Sequence, residues 1–475
     1  MRKFLIILTA GTILSSCTQE FKPGPDVVLE PNYKHQAAKL RGETVHPYTR
    51  WWANFGDPNL NRLIEEALAQ NLSIEQARQR IRSARFNSRI VKSTYLPQLE
   101  AEGAGTISGT KTEVPGAGRV TNNTSNFSKS LSGAWKIDFL GSKASAQQQA
   151  AIIEAQKEAL NAARLDVIAA TAVAYLNAQG FGRQLEIARK SLSVQANTAD
   201  ITRAKLEAGS ASALDSTRAS AAVNLTAADI PALQQAREES MHQIAVLLGR
   251  EPASLDNIFS RYKPIRRPKV KFSEGIPADL LRNRPDVRAA EWALRAAVAQ
   301  IGVAEADLYP SITLSGTLRA QVHSGNETVS WGFGPSVNIP IFDRGRLKAT
   351  VDLAKSEARV EYLNYRQVVL QAVREVEDAL VALRSEAQRQ AKLQVAVQEL
   401  RRAEELARQL NEAGTTEFSD VLDAQASLYS AELRLAIASQ QLALNYVELC
   451  RALGGGWAGD EPVMTEDTLK LAKKN

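Results

Sequence analysis

The sequence predicts an α+β membrane protein made from a duplicated unit of helix, two strands, very long helix, turn and helix. Three observations carry this reading. Two blocks of the chain match each other at constant offsets, four runs of about ten residues alternate with period two, and residues 347–410 contain neither Pro nor Gly.

The duplication sets the organisation. Residues 66–107 match 279–320 at an offset of 213: Ala77 falls on Ala290, Arg82 on Arg295, Ala84 on Ala297, Pro97 on Pro310 and Gly103 on Gly316. A later block matches at 205, placing Ala208-Gly209 on Ala413-Gly414, Asp215 on Asp420 and Leu248-Gly249 on Leu453-Gly454. Coincidence between Ala-rich helices does not explain the matched Pro and Gly positions, which constrain the backbone. The change of offset predicts residues lost between the blocks, most simply in the loop between the strands. Residues 60–249 and 276–454 are thus two repeats, with 250–275 as a linker and 455–475 as a tail.

The strands come next. Leu99, Ala101, Gly103, Gly105 and Ile107 alternate with polar or small residues, as do Leu131, Gly133, Trp135, Ile137 and Phe139. The second repeat has Ile312, Leu314, Gly316, Leu318, Ala320 and Val322, then Val329, Trp331, Phe333, Pro335, Val337, Ile339 and Ile341. This is the length and pattern of transmembrane β-strands. The stretches Val114 to Ser125 and His323 to Glu327 are rich in Gly, Asn, Ser and Thr and read as hairpin loops. Tyr95, Tyr309, Phe127, Phe342, Trp135 and Trp331 supply candidate interfacial aromatics. Four strands are too few to close a barrel, and an open edge in lipid leaves backbone groups unpaired. The chain therefore has to oligomerise if these strands span a membrane, and a trimer would give twelve.

The helices follow. Residues 347–410 would make about 95 Å of helix. Val369, Val373, Val376, Leu380 and Leu383 repeat at coiled-coil spacing, as do Leu428, Ala431, Leu435, Ala438, Leu442, Asn445, Leu449 and Ala452. The first repeat offers the same pair at 142–208 and 211–248, where Pro231 is expected to bend or break the shorter helix. The turns fall at Gly209-Ser210 and Gly414-Thr415, with Gly in the helix-ending position.

At the N-terminus, Arg2 and Lys3 precede an apolar run from Phe4 to Leu14, the layout of a signal peptide over residues 1–16. It ends in Leu14-Ser15-Ser16-Cys17, which resembles a bacterial lipobox. By that resemblance Cys17 carries a covalent lipid and anchors residues 17–59, and Thr18 in place of Asp favours the outer membrane. Each acyl chain contributes about 0.8 kcal/mol per buried CH₂. The other cysteine, Cys450, lies in an apolar helical pattern and is expected to be buried. No run after residue 17 reads as a transmembrane helix.

Charge excludes one class of function. The net charge is +6 and the basic residues are interspersed with acidic ones, so no basic patch for nucleic acid is present. The four histidines, His35, His46, His242 and His323, are scattered, and no metal, nucleophile or phosphate-loop motif accompanies them. The sequence therefore predicts no enzyme and no cofactor beyond the lipid.

Several motifs together resemble the outer-membrane factor family, the TolC-like ducts, in its OprM and NodT lipoprotein branch. They are the lipobox, Trp51-Trp52-Ala53-Asn54-Phe55-Gly56-Asp57-Pro58-Asn59-Leu60, the junction Pro340-Ile341-Phe342-Asp343-Arg344-Gly345-Arg346-Leu347, Leu422-Asp423-Ala424-Gln425, and Ala452-Leu453-Gly454-Gly455-Gly456-Trp457. The resemblance runs from Cys17 to about Trp457. It implies a homotrimer with a twelve-stranded barrel in the outer membrane, continuous with a helical coiled-coil barrel in the periplasm. It also implies a periplasmic adaptor and an inner-membrane RND-type pump as partners, and small molecules such as drugs as cargo. A type I protein-secretion duct is the related alternative, and a structural coiled-coil lipoprotein a more distant one. The resemblance makes Gly209, Ser210, Gly414 and Thr415 adaptor-contact tips. It makes Asp423 an aperture residue beside Asp420, with Asp215 and Arg218 in the corresponding places of the first repeat. Arg218 falls opposite Asp423, so the two are expected to pair across neighbouring coils. The sequence departs from the family pattern at Ala426, where an arginine is usual, and at Asn411, where an aromatic often stands.

Overall fold

The computed structural model describes residues 50–116, 118–252, 265, 284–323 and 326–456. The predicted signal peptide, Cys17, most of the segment 17–59, most of the linker 250–275 and the tail beyond residue 456 lie outside the described residues. A short 3-10 helix, Trp51–Phe55, leads into α1 (Pro58–Gln70), α2 (Leu72–Ser93), β1 (Gln98–Val114), β2 (Gly118–Ile137), α3 (Phe139–Glu207) and α4 (Ala213–Leu247). Then come α5 (Pro285–Ala306), β3 (Ser311–His323), β4 (Asn326–Asn338), α6 (Arg346–Glu412) and α7 (Phe418–Ala452). The ends of α2 and α5 lie 213 apart, and those of α4 and α7 lie 205 apart.

The described residues pack as two compact units, one holding 83–154 and 290–366, the other drawn from 50–82, 155–289 and 367–456. In the first, the strands form one antiparallel sheet in the order β1-β2-β3-β4. Residues opposite one another in an antiparallel ladder share a face. Leu99 faces Gly133, Gly133 faces Gly316 and Gly316 faces Phe333, while Ala101, Leu131, Leu318 and Trp331 form the next row. This face is apolar and exposed: Leu99, Leu131, Leu318, Trp331 and Phe333 all stand in the open. Lys129 is in register with Ala320, which is in register with Val329, and Glu327 is in register with Val322, so two charges, Lys129 and Glu327, lie near the hairpin end of the apolar face. The long stem of Lys129 allows its ammonium to reach an interface. At the other end of the sheet Ile301 and Ala304 of α5 pack on Val351, Ala354 and Ala358 of α6.

The first hairpin is longer than its sequence suggests. The stretch from Val114 to Ser125 is not a loop, because β1 and β2 pair continuously out to Val114 and Gly118. β3 joins β2 only from Asn126 onward, so the outer part of the hairpin stands alone. Thr is a good strand former, Asn and Ser leave both faces of this part solvated, and Gly116 and Gly118, with φ of 89° and 80°, make the turn. The change of offset is therefore distributed. Residues 311–338 are twelve fewer than 98–137, the strand-to-helix junction 339–345 is six longer than residue 138, and α6 is two shorter than α3.

The second unit is helical. α3 and α6 have 69 and 67 residues, about 100 Å of helix each. Along α6 the buried stripe is Val369, Ala372, Val376 and Ala379, with Val373, Leu380 and Leu383 half-buried beside it. α4 runs unbroken through Pro231, which corrects the expected break. One lost backbone bond is tolerated where tertiary packing stabilises a long helix, and α4 is held to α7 by Tyr429, whose hydroxyl donates to Asp229 at 2.9 Å. α3 does contain one apolar window long enough to span a bilayer, contrary to the sequence reading, but half of it is buried within the chain. Its residues Ile168, Ala172, Ala174 and Tyr175 belong to a core shared with Leu60, Ile64, Ile244, Leu248, Val447 and Cys450. Burial pushes the Cys450 thiol up to about 12, so it is an inert core residue.

Two separate sequence motifs meet in this unit. The indole of Trp51 donates to the Gly455 carbonyl at 3.1 Å. A Cβ on Gly456 would stand 2.9 Å from both Trp51 and Trp52, and its φ of 102° also requires glycine. Asp57 caps α1 by accepting from the Asn59 N–H, and it also accepts from the Tyr175 hydroxyl. Nearby, the buried Arg284 joins three elements. Its guanidinium forks onto Asp286 at 3.0 and 2.7 Å, donates to Glu375 at 2.8 Å and caps the Ala452 carbonyl at 2.7 Å. Burial pushes the Asp286 carboxyl up, but the Arg284 hydrogen bonds and charge outweigh it and hold the group below its usual value. That stabilisation is present above about pH 4 and lost as pH falls through the lowered value. Arg284→Met leaves two carboxylates without their buried cation. It should cost about 3 kcal/mol, read as a lower urea midpoint by tryptophan fluorescence, with partial recovery in Arg284→Met/Glu375→Gln.

Candidate functional site: a polar strand face and two helical tips

The face of the sheet opposite the apolar one is polar. Glu102 is in register with Ser130, Ser130 with Arg319 and Arg319 with Ser330, while Glu100, Ser132, Thr317 and Gly332 form the adjacent row. A recess of about 460 Å³ opens on this face, lined by Glu102, Ser130, Ser132, Thr317, Arg319 and Ser330 among others. The sheet thus has the two-sided character of a pore wall, with one side suited to hydrocarbon and the other to water. Both edge strands, β1 and β4, have one unpaired side in the chain by itself.

The tips are built alike. Gly209 and Gly414 adopt left-handed φ of 75° and 72°. The Gly209 N–H donates to Leu206 at 2.9 Å and Ser210 N–H to Lys205 at 2.8 Å, the paired bonds of a Schellman cap. In the second tip Gly414 donates to Asn411 at 3.0 Å and Thr415 to Leu410 at 2.9 Å. The Ser210 and Thr415 hydroxyls repeat the same bonds, to Lys205 and Leu410. These tip residues are exposed, so the caps present a rigid surface. Asn411, at the position where the resemblance leads one to look for an aromatic, clamps the second turn through Nδ2 to the Thr416 carbonyl at 3.1 Å.

The charged residues sit beyond the turns. Asp215 belongs to the cap of α4: its N–H donates to Ser212 Oγ at 3.0 Å, and the Ser212 hydroxyl donates to its carboxylate at 2.7 Å. Asp420, Asp423 and Ala426 share an exposed stripe of α7, while Val421 and Gln425 face inward. Gln425 ties α7 to α3 through Thr198 at 3.2 Å. Arg218 is exposed on α4, and the chain alone does not join it to Asp423.

Sequence reasoning missed a group that holds α7 on α3. The Gln184 amide donates to Gln440 at 3.0 Å, and Gln440 donates to Asn177 at 2.9 Å. A Cβ on Gly180 would lie 2.2 Å from Gln440. The signal available was an isolated glycine inside a helical pattern, which often marks close approach.

A sheet with one lipid-compatible and one polar face, joined to very long helices, defines an outer-membrane channel protein. The comparisons with known proteins agree. Residues 63–250 and 276–455 match the family described as outer membrane efflux protein, and the chain belongs to it. It is 35% identical over 474 residues to Nodulation protein T of Rhizobium leguminosarum bv. viciae, covering 98% of this chain and 95% of that one. It is 30% identical to outer membrane protein OprJ of Pseudomonas aeruginosa, covering 95% of each. Among solved structures, the outer-membrane channel OprN superposes with a TM-score of 0.77 at 32% identity, over 90% of this chain and 99% of that one. The protein is an outer-membrane efflux channel.

Gly180→Ala forces Gln440 aside and breaks its bonds to Gln184 and Asn177. It should lower stability by about 1–3 kcal/mol. In a double-mutant cycle read by urea unfolding, its cost should be smaller in a Gln440→Ala background.

Proposed function

We propose that three copies of this chain assemble into a single duct, with β4 of one copy pairing with β1 of the next to close a twelve-stranded barrel. The observation that carries this is the sheet itself, which has one mainly apolar exposed face and two unpaired edges. Lipid offers no partners to such edges, and β1 and β4 of successive copies can supply them to each other. A second observation supports a symmetric neighbour. Leu353, Val360, Leu363 and Leu370 leave an exposed apolar stripe on α6 at heptad spacing, a seam without a partner in the single chain.

In this reading Cys17 carries the lipid anchor after removal of residues 1–16, and the helices extend into the periplasm. The duct forms the outer-membrane part of an efflux pump with a periplasmic adaptor and an inner-membrane RND-type transporter. Small molecules such as drugs pass through unchanged. The exposed caps at Gly209-Ser210 and Gly414-Thr415 meet the adaptor. Asp420 and Asp423 form two rings of three carboxylates that narrow the periplasmic end. Carboxylates brought that close repel unless screened, paired or protonated. Arg218 of a neighbouring copy is the proposed counter-charge for Asp423, since neither is joined to the other within the chain. Asp215, although tied to Ser212, stands at the same level of the first repeat.

The test is conductance of the purified trimer in planar bilayers. Asp423→Ala should raise single-channel conductance several-fold and Arg218→Ala should change it too, because each removes a charge from the narrow end. If channels form and both variants conduct like the parent, the gate assignment fails.

A further inference from the structure

We propose that Arg319 and Glu102 form a mixed-charge girdle inside the barrel, separate from the carboxylates at the periplasmic end. This rests on the trimeric barrel proposed above. Among the described residues Arg319 is exposed and makes no ion pair. It sits in the same register row as Glu102 with Ser130 between them. Two strand spacings separate their backbones by about 10 Å, and the two side chains do not join in an ion pair across Ser130. Both line the recess on the polar face, where the other lining side chains are mostly small hydroxyls. Serine and threonine do not screen these charges as a paired ion would.

Closure turns this row into a pattern. Glu102 lies on the first strand of each chain and Arg319 on the third. In twelve strands the two alternate around the whole circumference, three of each, every second strand. Glu100 adds a second carboxylate from the adjacent row. β4 contributes no charge to the polar face between Thr328 and Asn338. Lys136 of β2 lies on the same face but pairs with Asp138 and Asp307, so Arg319 is the cation left to offset the β1 carboxylates there. A wall with separated charges of both signs slows ions of either sign and orients dipolar or zwitterionic cargo, whereas removing one sign leaves a one-signed wall.

The experiment measures the cation-to-anion permeability ratio of the full-length trimer in a salt gradient across a planar bilayer. It uses an Asp423→Ala background so that the opposite end does not dominate. Arg319→Gln should raise the ratio about twofold and Glu102→Gln should lower it by a similar factor. The double variant should return towards the parent, and Arg319→Lys should keep the parent value. Heat-modifiable mobility of each variant checks that assembly is intact. Channels of normal conductance whose ratio is unmoved by both single variants overturn the girdle while leaving the duct in place. Absence of any channel from the parent overturns the duct and the girdle with it.

Discussion

Backbone hydrogen bonding in hydrocarbon is the constraint on which the rest of the structure depends. Each N–H or C=O left unpaired in lipid costs several kcal/mol, and the sheet of this chain has two open edges. Its apolar face requires lipid, and its edges forbid lipid unless a neighbour pairs them. A single chain satisfies one demand only by violating the other. In the proposed assembly the duct is accordingly a property of several chains and not of one. α6 likewise carries a buried seam on one side and an exposed apolar stripe on another, which suits such an assembly.

Much of this was legible in the sequence because it is periodic. Strand alternation exposes which residues share a face, and the register confirms that Leu131, Leu318 and Trp331 lie together. The two tips were legible because a left-handed cap nearly demands glycine, and Gly209 and Gly414 both have positive φ. The repeat was legible because matched Pro and Gly positions mark matched backbone conformations.

What escaped was non-local or two-sided. The outer first hairpin looked like a loop because strands solvated on both faces lack apolar alternation. Pro231 looked like a break because the packing of α4 on α7 is invisible along the chain. The Arg284 network joins residues 91 and 168 positions apart, and the Gln440 contacts reach across 256 and 263. No local pattern announces such pairs. The same holds for the charge girdle, since Glu102 and Arg319 become neighbours in one row only after the second repeat folds against the first. The proposed gate is the converse case: its residues were named by resemblance, and the chain alone leaves Asp423 and Arg218 apart.

The most direct measurement of the central claim is inter-chain disulfide formation across the proposed seam. Single cysteines placed along β1 and β4, in a background without Cys450, would be paired in turn and oxidised in intact outer membranes. The account predicts covalent trimers from pairs in one antiparallel register, with yield alternating from residue to residue along the strands. Chains that remain monomeric for every β1 and β4 pairing would contradict it.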